Sequence, residues 1–511
     1  MRKKNIYRSA FIGLLEEVVA VICGFILPRM ILTYFGSDYN GIVAAVTQFI
    51  GCIALLKSGI GMATKAALYE PLYNHDQQKI DGIMAATMRF LRKVAAIFVV
   101  GIFIFACVYP LAINKEFPWF FTFSLVLIIS LGTFFQYYFG LGNQLLLEAD
   151  QKYYIVSLVA TTNTFLNTVI SVICMKAGIS IHGVKLCSAL VYCTTPVILY
   201  LYVNKTYKLN RKAKPDMESI SKRWDAFGMQ IANFVNQNTD IITASLFLSL
   251  KEVSVYTIYY LAINGIKKVV SRITVGVEAA LGNIIAENNK DILQSSFSLF
   301  EFVLNFLCTV AFSCLIILIV PFVNVYTKGV TDVNYTRYAF GIIACVAELF
   351  YCLRLAYTYL VQAKGAYAET KKYSYFEAVI NIVISVALVK WIGLVGIVIG
   401  TLIAMIYRSI VFAVYAYKHI LEKNVVFFFD RMVITIGNIA INYFVCVKLF
   451  NKMPHGNYLQ LFLAAIPVGI ISLVITSIIN GLRYKRLFGK SVALVSVKLK
   501  KKVLGGNKMK K

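Results

Sequence analysis

Gln230-Ile-Ala-Asn-Phe-Val-Asn-Gln-Asn-Thr-Asp240 and Tyr256-Thr-Ile-Tyr-Tyr-Leu-Ala-Ile-Asn-Gly-Ile-Lys-Lys-Val-Val-Ser-Arg272 belong to two segments apolar enough to enter a bilayer. Yet they carry Asn233, Asn236, Gln237, Asp240, Asn264, Lys267, Lys268 and Arg272. A charge at the bilayer centre costs at least ~2.5–3.5 kcal/mol, so such groups are expected to face water or protein and to mark a substrate path. The spacing fits a helical reading: Asn233, Gln237 and Asp240 recur at three- and four-residue steps, and Tyr256, Tyr260, Asn264, Lys268 and Arg272 at every fourth residue. Each helix therefore gathers its polarity into a stripe. The competing structural reading is a helix pair locked by hydrogen bonds, with no cargo.

The rest of the chain agrees with a bilayer setting. Of 511 residues, 59% are hydrophobic and 15% charged, and the mean hydropathy is +0.73. Ordinary soluble domains do not reach that balance. Fourteen spans are expected, at 10–34, 41–63, 94–113, 119–147, 153–175, 183–203, 226–248, 255–285, 295–323, 336–362, 375–389, 394–417, 432–447 and 458–480. The eleventh is short. The first follows Arg2, Lys3, Lys4 and Arg8 and is too long for a signal-peptide core, so it reads as a retained span.

Basic residues set the orientation. With the N-terminus inside, the segment 204–224 alone holds Lys205, Lys208, Arg211, Lys212, Lys214, Lys222 and Arg223. The outside loops hold single lysines such as Lys115, Lys251 and Lys328. This asymmetry places both termini in the cytoplasm. The 204–224 segment reads as a solvated linker that enforces topology. The tail after Gly481, with Lys498, Lys500, Lys501, Lys502, Lys508, Lys510 and Lys511, is expected to lie along anionic membrane lipids. A net charge of +27 distributed over membrane-flanking loops argues against a nucleic-acid partner.

Eleven cysteines without a C-x-x-C pair and four histidines without ligand spacing suggest neither a metal site nor a catalytic centre. No enzyme activity and no cofactor are expected.

An internal repeat is visible. Asn167-Thr-Val-Ile-Ser-Val-Ile-Cys-Met-Lys176 and Asn381-Ile-Val-Ile-Ser-Val-Ala-Leu-Val-Lys390 share six of ten residues at an offset of 214. Ala66-Ala-Leu68 and Ala279-Ala-Leu281 match at 213. Duplication of a six-span unit makes the halves parallel. The expected division is 1–215 for the first lobe with its linker, 216–430 for the second, 431–480 for two added spans and 481–511 for the tail.

From Leu27-Pro-Arg-Met-Ile-Leu-Thr-Tyr-Phe-Gly-Ser-Asp-Tyr-Asn-Gly-Ile-Val-Ala-Ala-Val-Thr-Gln-Phe49 and Leu55-Leu-Lys-Ser-Gly-Ile-Gly61, the chain resembles bacterial polysaccharide repeat-unit flippases. These form the oligosaccharide/polysaccharide transporter branch of the MATE-fold exporter superfamily. The resemblance implies an all-α polytopic membrane protein with two six-helix lobes around a cavity lined by spans 1, 2, 7 and 8, and two C-terminal helices. Arg29, Lys57, Asp240, Asn264, Lys267, Lys268 and Arg272 fall in those spans and are the candidate substrate-binding residues. Cations outnumber Asp240, with Glu278 deeper in span 8, which favours an anionic cargo such as a polyprenyl-diphosphate-linked oligosaccharide.

The implied activity is transfer of that cargo from the cytoplasmic to the outer leaflet for capsule, O-antigen or exopolysaccharide assembly. The expected drive is a coupling ion, H+ or Na+, or the membrane potential, and polysaccharide polymerase machinery is an expected partner. The expected location is the bacterial cytoplasmic membrane. Alternatives are a MATE-type multidrug or cation antiporter and a flippase for another lipid-linked precursor, such as a peptidoglycan precursor. A major-facilitator reading fails because the loop 64–93 lacks Gly-x-x-x-Asp-Arg.

Overall fold

The computed structural model describes residues 2–53, 58–112, 116–210, 213–220, 238–274, 276–287 and 289–493. Among them the chain is all-α, with no strand. Twelve helices among the described residues are long and apolar enough to cross a membrane, from Phe11–Tyr34 to Tyr458–Arg483. The other two expected spans, 41–63 and 226–248, run into residues outside the described set.

In order, the helices of the first part are α1 (Arg2–Tyr34), α2 (Ser37–Ile53), α3 (Ser58–Asn74), α4 (Gln77–Ala112), α5 (Trp119–Phe135), α6 (Leu141–Ala149), α7 (Tyr153–Lys176) and α8 (Ile181–Tyr207). The helical residues 238–247 form α9. Then follow α10 (Leu250–Ile273), α11 (Val277–Ala286), α12 (Lys290–Tyr326), α13 (Tyr338–Lys364), α14 (Tyr367–Ile392), α15 (Leu394–Tyr415), α16 (Val426–Phe450) and α17 (Tyr458–Arg483).

Three spans differ from the hydropathy reading. The short eleventh span is the full helix α14, whose first turns carry Glu369, Lys371 and Lys372 and so escape an apolar window. The fourth contains a π-helical turn, Gln136–Gly140, between α5 and α6; such turns concentrate at functional sites. The eighth is broken rather than continuous. Gly276 stands at φ 86° between α10 and α11, a conformation that a Cβ disfavours, and Thr274 Oγ1 bonds back to Val270 O and Ser271 O.

Two compact units divide the chain: 1–258 with 329–333, and 259–328 with 334–511. The division falls inside α10 instead of at 215/216. Its start is held by the first unit: Gly41 lies so near the Leu250 backbone that a Cβ would be 1.9 Å from the Leu250 carbonyl oxygen, and Asn40 Nδ2 donates to Ser254 Oγ at 2.8 Å. The Asp332 carboxylate accepts from the Ser37 amide and hydroxyl, each at 2.7 Å, placing an anion at the N-terminus of α2. The linker also departs from expectation. Residues 213–220 are anchored through Asp216 N, which donates to Gly82 O, and through the fully buried Ile220, while Lys214, Met217, Glu218 and Ser219 stay exposed.

Within each unit, helices join through polar pairs and small residues, as expected where lipid removes the hydrophobic drive between helices. In the first, α7 packs on α1 and α8, and Asn163 Nδ2 donates to Thr194 and Thr195 hydroxyls of α8. In the second, α14 packs on α15, and Asn381 Nδ2 donates to Thr401 Oγ1 at 3.0 Å. Gly396 and Gly400, four apart, let α15 press against the Leu388 and Ser385 backbone. The paired positions of the repeat, Asn167 with Asn381 and Ser171 with Ser385, are all buried.

Candidate functional site

In the first unit, a cavity of ≈ 470 Å³ is lined by Thr47, Gln136, Asn167, Lys185, Tyr192 and Thr195, among others. Lys185 lies within the span Ile181–Tyr207, and no acidic group pairs with it among the described residues. The lining thus offers amides, hydroxyls and the amine of Lys185, which sits in the second turn of α8. From the π-helical turn, Gln136 Nε2 donates to Gln144 Oε1 (2.9 Å) and Gln144 Nε2 to Glu148 Oε1 (2.9 Å). Glu148 also accepts from Lys65 Nζ at 3.0 Å, so that acid is held at the far end of the chain.

Of the first unit's expected site residues, Asp240 is buried, and Tyr256 Oη donates to its Oδ2 at 3.2 Å. Arg29 is half-buried on α1. Lys57, like Asn233, Asn236 and Gln237, lies outside the described residues.

In the second unit, α10 separates neighbouring lysines onto different faces, because successive residues of a helix differ by about 100°. Lys267 Nζ is 2.7 Å from Glu348 Oε2 of α13 and lies over the Tyr351 ring at 4.4 Å. Asn264, Lys268 and Arg272, at four-residue steps, are exposed. They form a polar stripe that ends just before the break at Gly276, where Thr274 Oγ1 meets Tyr359 Oη at 3.1 Å.

The buried acids of this unit already have cationic partners, which single-helix periodicity could not reveal. Arg354 and Arg408 both bind Glu377, with side chains 7%, 12% and 2% exposed respectively. Arg431 Nη1 binds Glu301 Oε2 at 2.6 Å, and Tyr357 and Tyr417 hydroxyls donate to the same carboxylate. The arrangement therefore exposes Lys268 and Arg272 before the break and Glu278 after it, and keeps three deep carboxylates in ion pairs.

No family model matches the chain, and no curated protein does either. Solved structures do. The lipid II flippase MurJ in an inward closed conformation aligns with TM-score 0.70 at 13% identity, covering 93% of this chain and 100% of that one. A multidrug resistance MATE family transporter of the MOP superfamily, inward-facing, aligns with TM-score 0.58 at 15% identity, over 79% and 93% of the two chains. A MOP superfamily transporter from Pyrococcus furiosus Vc1, described by the reverse polarity of its binding pocket, aligns with TM-score 0.57 at 16% identity, over 83% and 97%. The chain has the MATE-like fold that these proteins share.

Proposed function

We propose that this protein is a flippase for polyprenyl-diphosphate-linked oligosaccharide repeat units, moving them from the cytoplasmic to the outer leaflet. The observation that supports the reading is the balance of accessible charge: Lys185 in its cavity and Lys268 and Arg272 on an exposed stripe, with Glu278 exposed after the break, while Glu301, Glu348 and Glu377 are buried in ion pairs. Lipid exposure of that stripe would cost ~2.5–3.5 kcal/mol per charge, so water or a polar headgroup is the favoured neighbour. A diphosphate satisfies both guanidinium and ammonium donors. A carrier of organic cations would need the reverse.

An inside-negative potential assists outward movement of an anion by ~2.3 kcal/mol per charge per 100 mV. The polar head is too costly for hydrocarbon and the polyprenyl tail too apolar for water, so the tail stays in lipid while the head follows the cations. A second reading, a peptidoglycan-type lipid precursor, draws support from the likeness to the lipid II flippase and uses the same electrostatics.

Reconstitution into vesicles with labelled lipid-linked diphosphate oligosaccharides tests the proposal. Movement between leaflets should accelerate with the protein and rise with the potential. Transport of organic cations with no movement of the diphosphate lipid would overturn it, and a preference for the peptidoglycan precursor would select the second reading. Lys185→Gln should slow diphosphate-lipid movement about ten- to a hundredfold, the worth of one charge-assisted contact, with Lys185→Arg retaining part. Unchanged rates in Lys185→Gln would remove the first unit's cavity from the path.

The basic-loop asymmetry supports a reading with both ends in the cytoplasm. Reporter fusions at His75, Asp216 and Asn507 should read inside, and those at Lys328 and Asn457 outside. An outside signal at Asp216 would invert the second half and the direction of the vectorial argument with it.

A further inference from the structure

The second unit holds another cavity, of ≈ 470 Å³, at one end of four helices. Ser295 and Ser298 come from the first turns of α12, Tyr417 from the π-helical turn Ala416–Ile420 after α15, Lys423 from the loop beyond it, Asp430 and Arg431 from the start of α16, and Arg483 to Lys490 from the end of α17 and the helical residues 485–493. All these helix ends lie on the membrane face that the basic loops assign to the cytoplasm.

The floor is built and rigid. Arg431, with its side chain 10% exposed, is tied to Glu301, which is fully buried, and donates to Ser298 O. One wall is equally fixed: Asp430 accepts from Arg483 Nη2 and Tyr484 Oη, each at 2.7 Å, while Tyr484 and Phe488 pack on Phe302 and Phe306. Three lining cations, Lys423, Arg486 and Lys490, have no acidic partner among the described residues. Beside the cavity, Val426, Phe427 and Leu482 expose 63%, 58% and 70% of their surface. A cationic hollow rimmed by apolar side chains at the membrane interface matches a molecule with an anionic head and acyl chains.

We infer that this cavity binds the phosphate headgroup of an anionic phospholipid of the cytoplasmic leaflet, with the acyl chains running over Val426, Phe427 and Leu482. Lys423, Arg486 and Lys490 contact the phosphate, and the bound lipid ties α16 and α17 to α12. This site is separate from the transported cargo, and its test reads lipid retention instead of transport.

The full chain, purified with its lipids exchanged for an equal mixture of phosphatidylglycerol and phosphatidylcholine, is followed by native mass spectrometry. Phosphatidylglycerol should be retained in preference. Arg486→Gln with Lys490→Gln, both at exposed positions, should weaken that retention about fivefold per charge removed, roughly 25-fold together. The single Lys423→Gln should give about fivefold and serves should the double variant misfold. Equal retention of the two lipids, or undiminished retention in the variants, would overturn the inference. Displacement of phosphatidylglycerol by inorganic phosphate at equal concentration would assign the site to a free anion and overturn the lipid assignment.

Discussion

Replacing Lys268 and Arg272 together by alanine should abolish surface glycan and accumulate lipid-linked repeat units on the cytoplasmic side, with the protein at normal abundance. Each side chain is exposed on α10, and exposed substitutions usually fall within about 0.5 kcal/mol. The loss is functional: two charge-assisted contacts worth ~1.5–3 kcal/mol each correspond to at least a hundredfold in rate. Lys268→Arg with Arg272→Lys should keep part of the activity where charge matters more than bidentate geometry. Lys267→Ala, one residue away, should behave differently. It leaves Glu348 buried without its ammonium, so abundance and thermal stability should fall before any transport assay is reached. Full export by a well-expressed Lys268→Ala, Arg272→Ala protein would return the stripe to a structural role.

The contrast between Lys267 and Lys268 shows where sequence reading stops. Hydropathy is enough for the helical membrane architecture, because span length and apolarity are local properties. Of the stripe at four-residue steps, Asn264, Lys268 and Arg272 share the exposed face, while Tyr256 and Tyr260 are buried. Lys267 looked equivalent to its neighbour because its partner, Glu348, is 81 residues away on α13. Glu301 and Glu377 were passed over likewise, since their cations lie on other helices. Lys185 lies in a span, but its cavity is assembled from several helices, and nothing local in the sequence marks it. The break at Gly276 had a local sign in the glycine itself, outweighed by the apolar run around it. The linker's charge suggested solvation, yet Ile220 was the clue to its docking.

Removing the Glu377 carboxylate should be the most destabilising single change in the second unit. Its two oxygens take Arg354 Nη1 and Arg408 Nη1, and all three side chains are almost wholly enclosed. Glu377→Ala leaves two guanidiniums in a low-dielectric interior, a loss of ~3–5 kcal/mol when a buried pair loses one partner. That is a large share of a total stability of ~5–15 kcal/mol, so folded yield should collapse and the unfolding temperature in detergent should drop steeply. The attraction itself is not what the fold requires. At the repeat offset of 214, Arg354, Glu377 and Arg408 fall on Gly140, Asn163 and Thr194, and there α7 and α8 are joined by a neutral bond, Asn163 Nδ2 to Thr194 Oγ1 at 3.0 Å. Replacing all three charged residues by apolar ones of similar size should therefore restore most of the stability that Glu377→Ala removes, since the desolvation penalty disappears with the charges. Thermal unfolding of the single and triple variants decides the matter. A Glu377→Ala protein as stable as the parent, or a triple variant as unstable as the single one, would show that the triad does not act as a coupled buried charge cluster.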